Sequence, residues 1–402
     1  MDPLNNPFSP GAGSPPPELA GRDELLNQAR VTLTRIKAGR FEQSLMIVGL
    51  RGVGKTVLLN RIRELAEANG YGVVMVEATE SRSLPEVVLP ALRQILFQLD
   101  SMEGLSNKVK RGLRVLRSFI GAVTLKLGDA EFGLDIDAEK GTADSGDLEA
   151  DLGELFVALG EAAQDRKRAV AIIVDEVQYL SETEMSALIM AVHRVAQRQL
   201  PLVLVGAGLP QLVGLAGRSK SYAERLFRFP NVGALAPNDA KAALRDPVLE
   251  QGARFTEEAL DELIRVTHGY PYFLQEWGYQ AWNLATTPAI DLDVVKRTTH
   301  VAIQKLDGSF FRVRFDRLTP REKDYMRALA DLGPGSHRSG DIAERLGVKV
   351  QSIAPLRSGL LRKGMIYSPA HGDTAFTVPM FDEFMLRTMP QWTRIGAAVK
   401  CA

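Results

Sequence analysis

The stretch Gly49-Leu50-Arg51-Gly52-Val53-Gly54-Lys55-Thr56 follows the apolar run Leu45-Met46-Ile47-Val48 and precedes Val57-Leu58-Leu59. A buried strand, a glycine-rich turn and a helix, in that order, bring backbone N–H groups and the positive end of a helix to one point, which is the arrangement that holds phosphate groups. Glycines are required because the backbone has to wrap an anion at close range with no Cβ in the way. On this reading Gly49, Leu50, Arg51, Gly52, Val53, Gly54, Lys55, Thr56 and Val57 wall a nucleotide site. Lys55 would reach the β- and γ-phosphates of ATP, and Thr56 would ligate Mg2+.

A second segment supplies the matching acidic half. Ala169-Val170-Ala171-Ile172-Ile173-Val174 is an apolar strand ending in Asp175-Glu176. Asp175 is expected to hold Mg2+ through its water shell, opposite Thr56, while Glu176 orients and polarises an attacking water. Those residues imply a Mg-dependent ATPase, with Glu176 and Lys55 in catalytic roles. Leu202-Val203-Leu204-Val205-Gly206-Ala207-Gly208 reads as another strand whose exit offers no polar side chain to a γ-phosphate. Beyond it lie Arg225 and Arg228, either of which could act as an arginine finger supplied by a neighbouring copy, with Arg225 the stronger candidate.

Strands separated by helical stretches imply an α/β fold with a parallel sheet covered on both faces. A chain of 402 residues with 45% hydrophobic content can fill two or three cores, and the organisation read from it has five parts. Residues 1–18, rich in Pro, Gly and Ser, are a flexible arm. Residues 19–235 are the nucleotide-binding core, interrupted at about 99–152 by an insertion. There, 107–120 reads as a helix carrying Lys110, Arg111, Arg114 and Arg117, 123–127 and 132–136 as a β-hairpin, and 137–152 as a loop. Residues 236–304 are a helical lid, with Asn238 or Asp239 capping one helix and Thr256 another. Residues 305–390 are a winged helix-turn-helix unit: Thr319-Pro320-Arg321-Glu322 is a capping box, and three helices are followed by two strands around Ala370-His371-Gly372-Asp373. Residues 391–402 are a tail.

Charge sharpens this division. From Lys296 onward there are eighteen Lys and Arg against ten Asp and Glu, a balance of +8 in a chain of zero formal net charge. A basic C-terminal third is where a polyanion could dock. Gln351, Ser352, Arg357, Arg362 and Lys363 lie on or beside the expected recognition helix, with His371 near the wing tip; side chains of these types read base edges or hold phosphates in double-stranded DNA. Protein binding through the winged helix and the insertion is the competing use. No apolar run reaches 18 residues, the N-terminus lacks a signal-peptide pattern, and the one cysteine, Cys401, has no partner for a disulfide. The expectation is a cytoplasmic protein with no membrane partner.

With these motifs in place the chain resembles the AAA+ and STAND branches of P-loop ATPases, particularly Orc1/Cdc6-like and archaeal-type ATPases, over roughly residues 19–390. Leu19-Ala20-Gly21-Arg22 is similar to the family's box that packs against adenine, so the resemblance adds Gly21 and Arg22 to the nucleotide site. AAA+ lids usually present an arginine to the nucleotide, yet Gly269-Tyr270-Pro271-Tyr272-Phe273-Leu274-Gln275-Glu276-Trp277-Gly278-Tyr279 contains no basic residue and is similar instead to the GxP motif of STAND ATPases, which adds Pro271. The resemblance implies a slow nucleotide-dependent switch, binding ATP or ADP, able to form homo-oligomers or to engage a protein partner.

Overall fold

A computed structural model describes residues 1–11, 13, 19–101, 106–127, 137–370 and 372–392. Five strands, β1 (Ser44–Val48), β2 (Tyr71–Glu77), β3 (Ala169–Asp175), β4 (Leu202–Gly208) and β5 (Phe227–Arg228), form one sheet in the order β2-β3-β4-β1-β5. All its pairings are parallel. Every residue of β1, β3 and β4 is buried, which is why these strands read as unbroken apolar runs rather than as alternations. One apolar cluster fills the face shared with the helices Asp23–Lys37 and Lys55–Ala68 and continues into the C-terminal half of the chain. A second fills the opposite face, against the helices Leu84–Asp100, Asn107–Leu127, Leu148–Asp165 and Glu182–Gln197.

The strand order has one functional consequence. β4 lies between β1 and β3, so the loop after β1 and the carboxylates ending β3 open at the same edge of the sheet, where α/β proteins bind ligands.

The insertion differs from the expectation. Asn107–Leu127 is one helix, so 123–127 continue it instead of forming a strand; the partner segment 132–136 lies outside the described residues. Val109, Leu113, Leu116 and Ile120 are all buried, and that apolar stripe, packed against the helices Leu84–Asp100 and Leu148–Asp165, outweighs the β-propensity of Val123 and Thr124. The expected loop also stops early, because Asp147 caps the helix Leu148–Asp165 by accepting from the Glu149 N–H. Arg111 pairs with Glu139 at 2.9 Å and Glu161 at 3.2 Å, and Lys108 with Glu161 at 2.8 Å, so much of this helix's basic charge is neutralised within the chain.

Four helices, Pro237–Glu250, Glu257–Thr267, Pro271–Leu284 and Leu292–Gly308, form the segment that covers the sheet edge. The first begins at Pro237 after Ala236, not at Asn238 or Asp239, and Asp239 falls in its first turn. The short helix Phe310–Asp316 leads onward. The helices Pro320–Asp331, Ser339–Leu346 and Val350–Arg362 then combine with a three-stranded sheet, in which Asp373–Phe376 pairs antiparallel with both His337–Arg338 and Ile366–Tyr367, to make the winged helix-turn-helix.

The N-terminal arm is not free. Phe8 is 2% exposed, its ring so close to Gly278 that a Cβ there would lie 2.7 Å away. Asn6 donates to the Tyr279 carbonyl and to Asn283 Oδ1, both at 3.0 Å, and Trp282 Nε1 donates to the Asp2 carbonyl at 2.8 Å. One aromatic anchor and a few hydrogen bonds thus tie down a segment that composition marks as loose. Phe8→Ala should lower stability by about 3 kcal/mol in a denaturant titration, because it empties a closed aromatic pocket; an unchanged midpoint would mean the arm is not anchored there.

Candidate functional site

A cavity of about 570 Å3 lies at the edge where β1 and β3 end, a size suited to a nucleotide-sized ligand. Leu19, Ala20, Leu235, Ala243 and Leu274 give it an apolar end. Gly52, Val53, Gly54, Lys55, Thr56, Val57 and Glu176 form a polar one. Arg22, Arg51, Pro271 and Tyr272 also line it, with Ser9, Pro10, Gly11 and Gly13 of the N-terminal arm.

At the polar end the glycine-rich loop turns through positive φ at Gly52 (82°) and Gly54 (89°), then enters the helix Lys55–Ala68. Lys55 is 7% exposed and its Nζ donates to the carbonyls of Gly49 at 3.0 Å and Leu50 at 2.9 Å; burial pulls its pKa down. Thr56 Oγ1 donates to Asp175 Oδ2 at 2.6 Å, bringing together two residues 119 positions apart. Burial pushes the Asp175 carboxyl up against these contacts. Glu77, which ends β2 in register with Asp175, is pushed up as well, first by burial and then by Asp175 and Glu176. Sequence reasoning passed over Glu77, whose one signal is its place as the last residue of an apolar strand.

Glu176 takes a left-handed conformation at φ 52°, uncommon for a non-glycine and found where a site holds its backbone against local preference. Its carboxylate is engaged from two sides. Gln178 Nε2 donates to Oε2, and Arg51 Nη1 lies 3.4 Å from Oε1. The same glutamine accepts from the Leu209 N–H at 2.9 Å, just beyond β4. A Cβ on Gly208 would sit 2.7 Å from Gln178 Oε1, so the side chain missing from the end of β4 makes room for one arriving from the turn after β3. That substitution was invisible along the chain, since Gln178 becomes relevant only when β3 and β4 are neighbours.

Two further segments close the cavity. Arg22 Nη2 donates to the Gly233 carbonyl at 2.6 Å, and Gly21, at φ 67°, approaches Asp239 so tightly that a Cβ would lie 2.5 Å from its Oδ2. Pro271 opens the helix Pro271–Leu284, whose start grips the loop: the Tyr272 N–H donates to the Gly52 carbonyl at 3.1 Å, and the Tyr270 hydroxyl to the Arg51 carbonyl. Arg314, from the helix Phe310–Asp316, also lines the cavity and was not anticipated. Arg225, by contrast, is exposed and does not line it, while Arg228 binds Glu42 at 2.7 Å and Gln43 at 3.0 Å as part of the local structure.

The donor set suits a hard cation beside phosphates. The Thr56 hydroxyl and the Asp175 carboxylate are oxygen ligands, and Mg2+ in such sites takes only one or two protein carboxylates and fills its remaining positions with phosphate and water. Among the described residues there is no cluster of three or more His, Cys, Asp or Glu poised for a metal, so an all-protein cage is not what this site offers.

On the C-terminal unit the expected DNA-facing residues divide. Gln351, Ser352 and Arg362 are exposed. Arg357 is instead an internal clip, donating to Thr374 Oγ1 at 2.9 Å, Ser368 Oγ at 2.9 Å and the Asp373 carbonyl at 2.8 Å. Lys363 is held by Glu322 at 2.6 Å and the Arg317 carbonyl at 3.1 Å. Both head groups have partners within the chain, joining helices to the wing and to each other. His371 lies outside the described residues.

A parallel sheet in the order β2-β3-β4-β1-β5, a glycine-rich loop after β1 and paired carboxylates after β3 define a nucleotide-hydrolysing P-loop ATPase. Residues 18–205 match the family model described as AAA ATPase domain. Residues 308–385 match a domain of unknown function. An uncharacterized HTH-type transcriptional regulator from Methanocaldococcus jannaschii is 25% identical over 347 residues, 82% of this chain and 79% of the relative. The fold is also similar to the Aeropyrum pernix Orc1 protein, solved in complex with DNA (16% identity, 93% of this chain and 94% of that one, TM-score 0.46). The Thermotoga maritima RuvB Holliday junction branch migration motor is 13% identical over 93% of this chain and 96% of its own, with a TM-score of 0.45. No helix among the described residues is long and apolar enough to cross a membrane.

Gln178→Leu keeps the bulk of the side chain but removes both hydrogen bonds. It should lower ATP turnover on the order of ten-fold or more by freeing Glu176, while changing nucleotide affinity less than about three-fold. Equal turnover in variant and wild type would mean the link to Leu209 has no part in placing Glu176.

Proposed function

We propose that the chain is a Mg-dependent ATP switch whose nucleotide state sets the position of its winged helix, and that the winged helix engages double-stranded DNA. The observation that carries the reading is the double attachment of Arg51. Its guanidinium reaches Glu176 at 3.4 Å, the Tyr179 hydroxyl at 2.7 Å and, more loosely, the Gly364 carbonyl at 3.5 Å, while its backbone N–H donates to the Thr377 carbonyl at 3.3 Å. Gly364 and Thr377 belong to the winged-helix unit. A phosphate-loop residue is therefore shared between the water-orienting glutamate and the wing, so a change at one is felt at the other.

In this reading the N–H groups of Gly52, Val53 and Gly54 and the Lys55 ammonium cradle the phosphates, and Thr56 and Asp175 hold Mg2+. The metal, when bound, neutralises charge on the phosphate oxygens. Glu176 orients the attacking water and takes up its proton. Arg22 and Pro271 shape the base and sugar end. With Glu176 held by Arg51 and Gln178, and with no arginine of the lid segment lining the cavity, turnover is slow. Arg225 remains exposed, where a neighbouring copy could use it.

Gln351, Ser352 and Arg362 are the exposed groups left to meet DNA, and the archaeal relative's description as an HTH-type transcriptional regulator supports that partner. The internal use of Arg357 and Lys363 favours a second reading, in which the winged helix binds protein instead.

Glu176→Gln preserves volume but not the anionic acceptor. ATP hydrolysis should fall on the order of a hundred-fold or more, with calorimetric ATP affinity retained; wild-type turnover would remove Glu176 from the chemistry. For the partner, the full-length protein should retard a DNA duplex, with affinity falling steeply as salt rises from about 50 to 200 mM because phosphate contacts release counterions. Absence of any retardation at low salt, with and without ATP, would favour the protein-binding reading.

A further inference from the structure

Arg314 sits in the seven-residue helix Phe310–Asp316, after the lid segment and before the first helix of the wing. It lines the same cavity as Gly52, Lys55, Thr56 and Glu176. Its guanidinium lies over the Phe310 ring, Cζ 3.9 Å from the ring centre, and Nη1 donates to the Phe310 carbonyl at 2.6 Å. Phe310 in turn stacks on Tyr272, with centroids 4.6 Å apart and planes 21° apart, and the Tyr272 N–H is bonded to Gly52 of the phosphate loop. A continuous stack therefore fixes this arginine relative to the loop.

Partial burial without a carboxylate partner is what sets Arg314 apart. No Asp or Glu forms an ion pair with it among the described residues, and burial, with Arg51 nearby, pulls its pKa down to about 10. A guanidinium held against aromatic rings, short of its carboxylate and turned to a cavity with Lys55, is costly unless an anion enters. Arg51, which contributes to that depression, is itself the residue that reaches Glu176. The stack from Arg314 through Phe310 to Tyr272, bonded to Gly52, ties this guanidinium to the phosphate loop, so the anion expected beside it is a phosphate of the bound nucleotide.

We propose that Arg314 binds the outermost phosphate of the nucleotide, supplying from the linker helix an arginine where none from the lid segment lines the cavity, so that ATP and ADP differ in whether they hold this helix, and the wing after it, against the phosphate loop. The proposal rests on the nucleotide reading above and extends it by naming the residue that distinguishes triphosphate from diphosphate. Arginine suits the task because its fork of donors matches a phosphate face and it stays charged at any physiological pH.

The test is calorimetric titration of the full chain with ATP and with ADP, in Mg2+, for wild type, Arg314→Gln and Arg314→Lys. Loss of a charge-assisted phosphate contact should weaken ATP binding to the Gln variant by about ten- to a hundred-fold and leave ADP binding within about three-fold. The Lys variant should recover part of the ATP affinity, since the charge is restored without the fork. Melting without nucleotide supplies the control for folding. Removing a partly buried cation that has no carboxylate partner should leave the melting temperature of Arg314→Gln unchanged or raise it, while the further rise produced by ATP shrinks. A proportional loss for ATP and ADP, an unchanged ATP affinity, or a lower melting temperature with the ATP preference intact would each overturn the assignment and leave Arg314 as a packing residue. If the wild type bound neither nucleotide, the nucleotide reading itself would fall, a result distinguishable from failure of Arg314 alone.

Discussion

Everything at the site depends on the parallel pairing of β1 with β4 and of β4 with β3. Val48 lies opposite Gly208, and Val174 opposite Gly206, so the chain leaves both strands at the same level of the sheet. That register puts the Thr56 hydroxyl 2.6 Å from Asp175 and lets Gln178 reach across to the N–H after β4. A slip of one residue would reverse the facing of a whole strand, and strands this thoroughly buried cannot tolerate it.

Around that edge the protein concentrates charge it does not fully neutralise. Glu77, Asp175 and Glu176 gather at the ends of β2 and β3, and burial pushes the first two carboxyls up. Lys55, Arg51 and Arg314 line the cavity with Glu176, Arg51 reaching its carboxylate at 3.4 Å, and burial pulls Lys55 and Arg314 down. Charges of both signs held apart at partial burial cost stability but suit a site that must accept a polyanion with its cation. The same concentration links the site to the rest of the molecule, because Arg51 and Arg314 each connect the phosphate loop to the C-terminal half: Arg51 through Gly364 and Thr377, Arg314 through the Tyr272–Phe310 stack.

Much of the basic composition of the C-terminal third is used within the chain. The C-terminal third carries a balance of +8, yet Arg357, Lys363 and Arg387 are bound internally, to the wing, to Glu322 and to Asp307 respectively. The insertion repeats the pattern, with Arg111 and Lys108 paired to Glu139 and Glu161. In both places long cationic side chains serve as clips between helices, and the groups left exposed on the recognition helix and its end are fewer than the sequence suggests.

What the sequence alone determined was local in origin: a strand, a loop and a helix around Gly49 to Thr56, the strand ending in Asp175 and Glu176, the capping box at Thr319 and the order of helices and strands in the winged helix. Each individual element is encoded within about twenty consecutive residues by periodicity, glycine placement and helix caps, so neighbouring side chains suffice to specify it. Tertiary structure decided what required distant residues to meet. Gln178 replaces the side chain missing from β4, Phe8 anchors an arm that composition marks as loose, and Arg314 enters the nucleotide cavity from a helix more than 250 residues beyond the phosphate loop. It also decided that 123–127 extend a helix, since the strength of an apolar stripe depends on the helices packed against it. Local propensity is a matter of tenths of a kcal/mol per residue and burial of whole side chains is worth about ten times more, so where the two competed, the packing prevailed.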